Sequence, residues 1–125
     1  MTEIERTSMI QTIADAALDR RAEDLVALDV RELTSYTDTF VIATASSDRR
    51  ARAIADAVVE AMKKLGNAPL GVEGYDEGHW VLIDLGDVIV HVFQEDARRE
   101  YDLERLWSDA PRAHFEADGE RTAAS

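Results

Sequence analysis

Two β-strands joined by a turn are predicted for the segment Glu73-Gly-Tyr-Asp-Glu-Gly-His-Trp-Val-Leu-Ile-Asp-Leu-Gly-Asp-Val-Ile-Val-His-Val-Phe-Gln94. Residues 80–85 and 87–93 are dense in β-branched and aromatic residues and flank Gly86, which is the pattern of a β-hairpin. If Leu85-Gly86 is a two-residue turn, the ladder pairs Asp84 with Asp87, Leu82 with Ile89 and Trp80 with His91. Cross-strand partners point to the same side of the sheet.

The two faces of this hairpin differ in chemistry. One face holds only β-branched aliphatic residues and is predicted to be core: Val81, Ile83, Val88, Val90 and Val92. The other face is mixed: Trp80, Leu82, Asp84, Asp87, Ile89, His91 and Phe93. Either a helix covers Leu82 and Ile89 with Trp80 at its edge, or Trp80, His91 and Phe93 are wholly or partly exposed and anchor a partner. We favour the first interpretation for Leu82 and Ile89. For Trp80 we favour the second, because tryptophan is a frequent interface anchor.

The rest of the chain surrounds this hairpin with helices and further strands. An apolar stripe from Ile10 to Leu18 predicts a first helix, capped by Thr7 or Ser8. The strongest helical pattern has its N-cap in Ser46-Ser-Asp48 and ends at Gly66. The element order α-β-β-α-β-β-β-α predicts an α/β fold: one domain with a mixed five-stranded sheet and helices packed on it.

Length and composition set the boundaries of that domain. We assign residues 1–111 of the 125-residue chain to one domain and 112–125, which lose periodicity, to a disordered acidic and Ala-rich tail. Apolar runs fall short of the ~20 residues that a membrane helix needs. The polar N-terminus is unlike a signal peptide, so we expect a cytoplasmic protein without membrane contact.

The charge balance indicates which partners are favoured. With 26 acidic and 14 basic residues the formal charge is -12. Such a chain repels phosphate backbones, so little or no direct nucleic-acid binding is expected. A basic protein partner is favoured because opposite charge steers encounter. The alternative is that the charge serves solubility alone.

No residue pattern singles out a catalytic site. Asp84, Asp87 and His91 have the side chains of metal ligands, but aspartates beside a turn are common for structural reasons. The chain has no cysteine, and it lacks the nucleophile-elbow, phosphate-loop and zinc-protease motifs. We therefore expect no catalytic residue, no metal and no cofactor.

A second aromatic cluster lies near residue 105. Leu103, Leu106 and Trp107 share one helical face, which we expect to dock the last helix, at least through the two leucines. Tyr101 lies off that face and is the better candidate for a partner contact.

Four motifs together resemble one family. They are Thr37-Asp-Thr-Phe-Val-Ile-Ala-Thr-Ala-Ser-Ser-Asp-Arg49, Gly71-Val-Glu-Gly74, the strand pair from Trp80 to Phe93, and Tyr101-Asp-Leu-Glu-Arg-Leu-Trp107. In order and spacing they are similar to the ribosomal silencing factor, or Iojap, family over about residues 8–111. A mild departure is Thr44-Ala45, where many members have Thr-Gly.

The resemblance implies a function. Family members bind the large ribosomal subunit through ribosomal protein L-fourteen and block its association with the small subunit. They thereby lower translation under nutrient limitation or in stationary phase; the implied alternative is a large-subunit assembly factor. Trp80 and Tyr101 match family positions in that contact, and the neighbouring residues Asp84, His91, Phe93 and Leu106 are carried over with them.

The family fold is related to nucleotidyltransferases, which raises the alternative of an enzyme. That chemistry needs closely spaced metal-binding carboxylates beside a phosphate-holding Gly-Ser loop. The candidates here are Ala45-Ser46-Ser47 and Asp84-Leu-Gly-Asp87, and the second has the wrong spacing, so we disfavour catalysis. A homodimer through the apolar face is a further alternative.

Overall fold

The computed structural model describes residues 2–116 and, for the backbone, 121–124. Helices and strands alternate irregularly along the chain. They are α1 (Glu3–Asp19), β1 (Glu23–Asp29), β2 (Thr39–Ala45), α2 (Asp48–Lys64), β3 (Gly71–Glu73), β4 (Trp80–Asp84), β5 (Val88–Gln94), α3 (Glu95–Tyr101), α4 (Leu103–Leu106), β6 (Arg112–Phe115) and β7 (Arg121–Ala124). No helix within the described ranges is both long and apolar enough to span a bilayer.

One mixed sheet runs through the molecule in the order β3-β4-β5-β2-β1-β6-β7. The central pair β2 and β5 is parallel, and every other neighbouring pair is antiparallel. The predicted α/β domain with a mixed sheet is therefore confirmed, and its first eight elements follow the predicted order. The five predicted strands are present, and β6 and β7 are additional. Kinship with nucleotidyltransferases stays a prediction.

The additional strands come from the segment that was predicted to be a disordered tail. That prediction is wrong for Arg112–Phe115, which pairs with β1 and places Phe115 opposite Leu25, and for Arg121–Ala124, which pairs with β6. Phe115 is buried in the main core. The physical reason is that β6 satisfies backbone groups along β1 that would otherwise form an open edge. Residues 117–120 and 125 of the predicted tail lie outside the described residues.

The helices begin where side chains can cap them. α2 starts as expected, with the Ser47 hydroxyl accepting from the Arg50 amide at 3.0 Å. α1 begins earlier than predicted, because Thr2 and Glu5 form a reciprocal capping box that satisfies two free amides. The two long helices cover one face of the sheet.

Each face of the sheet has its own apolar core. α2 packs over the β-branched face of the hairpin, whose five predicted core residues are all buried, and α1 lies beside α2 over β1. On the opposite face, Ala97 of α3 and Ala110 join a second cluster around Phe40, Ile89 and Phe93. Both faces are covered, as the strong apolar content of β2 requires.

The hairpin register differs from the predicted one by two residues. Trp80 pairs with Phe93, Leu82 with His91 and Asp84 with Ile89. The turn is Gly86-Asp87, closed by the Leu85 amide donating to the Val88 carbonyl at 2.9 Å. Gly86 takes φ +87°, which a glycine adopts without a Cβ clash. Since the shift is even, each remaining strand residue stays on its predicted face.

Candidate partner-binding surface

Trp80 is the centre of an aromatic group on the α3 side of the sheet. It opens β4 and is partly buried. Its ring stacks on Phe93, with centroids 5.0 Å apart, and meets the Tyr101 ring at 4.4 Å. His91 lies at 5.9 Å. Offset aromatic contacts of this kind hold an indole in one orientation.

Tyr101 contacts Trp80 from the C-terminal end of α3, where the chain turns sharply. Tyr101 ends α3, and Asp102 takes the left-handed conformation, with φ 44°, before α4 begins. The Tyr101 side chain is 49% exposed. Trp80 and Tyr101, the pair that the resemblance singled out, therefore lie together at one corner of the molecule. We call them the aromatic pair.

Arg98 joins α3, and with it that corner, to the sheet through hydrogen bonds. Its guanidinium donates to the Asp24 carbonyl at 2.7 Å, to the Thr44 hydroxyl at 2.8 Å and to the Glu104 carboxylate at 2.8 Å. The side chain is largely buried. Sequence reasoning missed Arg98, because two of its partners lie 54 and 74 residues away and no local pattern links them.

His91 and Phe93 do not belong to the exposed surface, so the prediction that they are wholly or partly exposed is wrong. Phe93 is fully buried and His91 is 5% exposed. The reason is that Trp80 and α3 lie over them. The Trp80 indole Nε1 donates a hydrogen bond to His91 Nδ1 at 3.1 Å. Burial lowers the pKa of His91 to about 4, so the imidazole is neutral near pH 7.

Asp84 and Leu106 end up in different places. Asp84 lies at the far end of β4, roughly 13 Å from Trp80 along the strand, and accepts from the Gly86 amide at 2.9 Å. This hydrogen bond stabilises the turn. Leu106 is 69% exposed on α4, so it does not dock that helix. Leu103 and Trp107 do, since they pack against the second core.

The helices α3 and α4, which lie beside Trp80 and include Tyr101, are more acidic than basic. Residues 95–106 contain five carboxylates and three guanidinium groups. Arg98 is paired with Glu104, and Arg99 lies 3.4 Å from Glu95. The surface around the pair therefore combines exposed apolar area with a modest negative charge.

The two features weighed as a catalytic site are far apart. Ser46 and Ser47 follow the end of β2, whereas the Asp87 carbonyl accepts from Asp38 and Thr39 at its start. The length of β2 separates them by roughly 20 Å. These residues do not form one site.

Comparison with known proteins identifies relatives that match most of the chain. A family model described as "Ribosomal silencing factor during starvation" matches residues 3–125. The ribosomal silencing factor RsfS of Bacillus subtilis (strain 168) is 43% identical over 109 residues, covering 87% of this chain and 92% of that protein. The mouse protein "Mitochondrial assembly of ribosomal large subunit protein 1" is 28% identical over 102 residues, covering 79% of this chain and 45% of the mouse protein.

A solved structure agrees with the fold. The crystal structure of a Chromobacterium violaceum protein superposes with a TM-score of 0.80 at 36% identity, covering 82% of this chain and 85% of that one. The family model extends past Pro111, where strands β6 and β7 continue the sheet. By sequence over nearly its whole length, the chain belongs to the ribosomal silencing factor family.

Proposed function

We propose that this chain is a cytoplasmic translational repressor that binds the large ribosomal subunit through ribosomal protein L-fourteen. Its bulk then blocks association with the small subunit and lowers translation under nutrient limitation. The observation that supports this is an aromatic pair presented at a fixed corner by a member of the ribosomal silencing factor family. The mechanism uses no catalysis, no cofactor and little direct contact with nucleic acid.

The composition of the corner suits a protein partner. Trp80 and Tyr101 supply large, rigid ring surfaces, and the next helix, α4, exposes the aliphatic side chain of Leu106. Tryptophan and tyrosine dominate the binding energy of many interfaces. The net charge of -12 favours fast encounter with a basic ribosomal protein, an effect that salt weakens.

Repression follows from mass action. A factor that binds only the free large subunit withdraws it from the association equilibrium, to an extent set by the factor's concentration and its dissociation constant. Steric exclusion then needs no conformational change in the ribosome.

A second candidate function is assembly of the large subunit, and the name of the mouse relative favours it. The two functions predict different sucrose-gradient profiles after deletion of the gene. Loss of an assembly factor leads to precursor particles during growth. Loss of a repressor leaves growing cells unchanged and raises the joined-ribosome fraction during starvation.

Co-sedimentation with purified large subunits tests the proposed contact. Wild type should move with the large subunit, and a folded Trp80→Ala, Tyr101→Ala variant should remain at the top of the gradient. Tyr36→Ala is the matched control, because Tyr36 is 72% exposed in the loop between β1 and β2. Equal binding of all three proteins would overturn the proposed site. Light scattering of the free proteins tests whether the same surface forms a homodimer instead.

A further inference from the structure

His91 is a polar residue in an otherwise apolar core. Its ring packs edge-on to Phe40 at 5.3 Å and stacks on Phe93 at 5.8 Å. The one hydrogen bond that its side chain makes among the described residues joins Nδ1 to the Trp80 indole. Nε2 is buried and has no partner in the described part of the chain.

This hydrogen bond fixes where the imidazole proton lies. An indole N–H can only donate, so Nδ1 must be unprotonated to accept. The proton of the neutral ring is then on Nε2, a buried donor without an acceptor among the described residues. Leaving such a donor unpaired destabilises a fold, whereas an apolar residue of similar shape would not. Packing alone therefore gives no reason for a histidine here.

We infer that His91 is a positioning residue for Trp80, whose indole it holds in the orientation that presents the aromatic pair to a partner. Since this role presupposes that Trp80 contacts the ribosome, it rests on the proposed function. The physical gain is pre-organisation: an anchor already held in its bound rotamer loses less entropy on binding. Without the acceptor, the indole N–H has to hydrogen-bond to water instead, and the ring can rotate away from Phe93.

The surroundings keep this bond in place near neutral pH. The groups packed against His91 are the rings of Phe40, Trp80 and Phe93. Its ladder partners are Leu82 on β4 and Ile42 on β2. No acidic or basic side chain among the described residues contributes to its lowered pKa, which comes from burial alone. Nδ1 therefore remains an acceptor over the whole physiological range.

Two substitutions distinguish the role of His91 as a hydrogen-bond acceptor from its role in packing. His91→Leu removes the acceptor and retains apolar bulk, while His91→Asn places a carbonyl oxygen near the position of Nδ1. The readouts are hydrogen exchange of the Trp80 indole N–H, followed by NMR in the free protein, and the dissociation constant for purified large subunits. The background variant Trp80→Phe keeps a ring but has no N–H to donate.

In His91→Leu, we expect exchange of the Trp80 indole to accelerate at least roughly fivefold and the dissociation constant to rise roughly three- to tenfold. In His91→Asn, the exchange rate of the Trp80 indole N–H and the dissociation constant should both lie close to their wild-type values. In the Trp80→Phe background, adding His91→Leu should not weaken binding further, because the residue acts through the indole N–H.

Different results would contradict the positioning role of His91 and the proposed function. Wild-type exchange and affinity in His91→Leu would overturn the positioning role, as would an equal loss of affinity in the Trp80→Phe background. If Trp80→Ala itself bound large subunits like wild type, the proposed function would fail instead, whatever the exchange data gave.

Discussion

The rings of Trp80 and Tyr101 lie with centroids 4.4 Å apart and planes tilted by 40°. Trp80 opens a strand and Tyr101 ends the helix that crosses the same face of the sheet. Trp80 is partly buried and stacks on Phe93, and Tyr101 is 49% exposed, so the pair offers contact area with little conformational freedom to lose. Its geometry depends on what holds α3 in place and on what lies beneath Trp80.

Tyr101→Ala should weaken binding to large subunits roughly five- to thirtyfold, because an aromatic interface anchor is worth about 1–2 kcal/mol. The fold should be retained, since the side chain is half exposed. Equilibrium co-sedimentation over a range of subunit concentrations measures the change. Tyr36→Ala should match wild type within roughly twofold. A loss shared by both variants would point to a general surface effect and not to this site.

Arg98→Ala should lower the free energy of unfolding by about 2–4 kcal/mol. It removes three hydrogen bonds of a largely buried guanidinium and leaves the Glu104 carboxylate without its cationic partner. Urea unfolding followed by circular dichroism gives this value. The control is Arg99→Ala, one residue along the helix, where an exposed ion pair with Glu95 is lost and a change within ~0.5 kcal/mol is expected. Equal effects of the two substitutions would refute the fastening role of Arg98.

The stability of the fold should depend on pH through His91. Its pKa is about 4 in the folded protein and 6.5 for a histidine exposed in the unfolded chain, so between these values the unfolded chain binds the extra proton. Stability is therefore complete above about pH 6.5 and decreases as pH falls toward 4, by roughly 2–3 kcal/mol at pH 4.5. Denaturant unfolding at pH 7 and 4.5 measures the difference, which should be smaller by about that amount in His91→Asn. An unchanged difference would contradict the burial of a neutral His91.

Strand β6 should contribute measurably to stability. Phe115→Ala removes a buried ring from the main core and should cost about 3–5 kcal/mol, whereas His114→Ala alters an exposed side chain on the same strand. Thermal and urea unfolding compare the two variants. Two variants with wild-type stability would show that residues after Pro111 are dispensable for the domain.

Local patterns were sufficient for much of this fold. Strict alternation placed Val81 and Ile83 in the core, and helical periodicity gave the buried face of α2. The register was not determined, because Leu85-Gly86 and Gly86-Asp87 are both reasonable turns. Strand β6 was missed since Arg112-Ala-His-Phe115 has weak β propensity and forms by pairing with β1.

The candidate surface was only partly predictable for a similar reason. Alternation assigns His91 and Phe93 to the face of Trp80, but it does not say what covers that face. The cover is α3, whose single buried residue is Ala97 and whose attachment depends on Arg98. Such long-range contacts leave no periodic trace in the sequence. The position of Tyr101 off the apolar helical face only favoured it as a partner contact. The resemblance to a family is what assigned it to the contact surface.

The central claim is that the aromatic pair mediates a block of subunit joining. The most direct measurement mixes purified small and large subunits with increasing wild-type protein or Trp80→Ala and reads the joined fraction on a sucrose gradient. Wild type should reduce joining in proportion to the large subunit it occupies, and Trp80→Ala should need roughly tenfold or more protein for the same effect. Joining that wild type leaves unchanged, or that both proteins inhibit equally, would contradict the account.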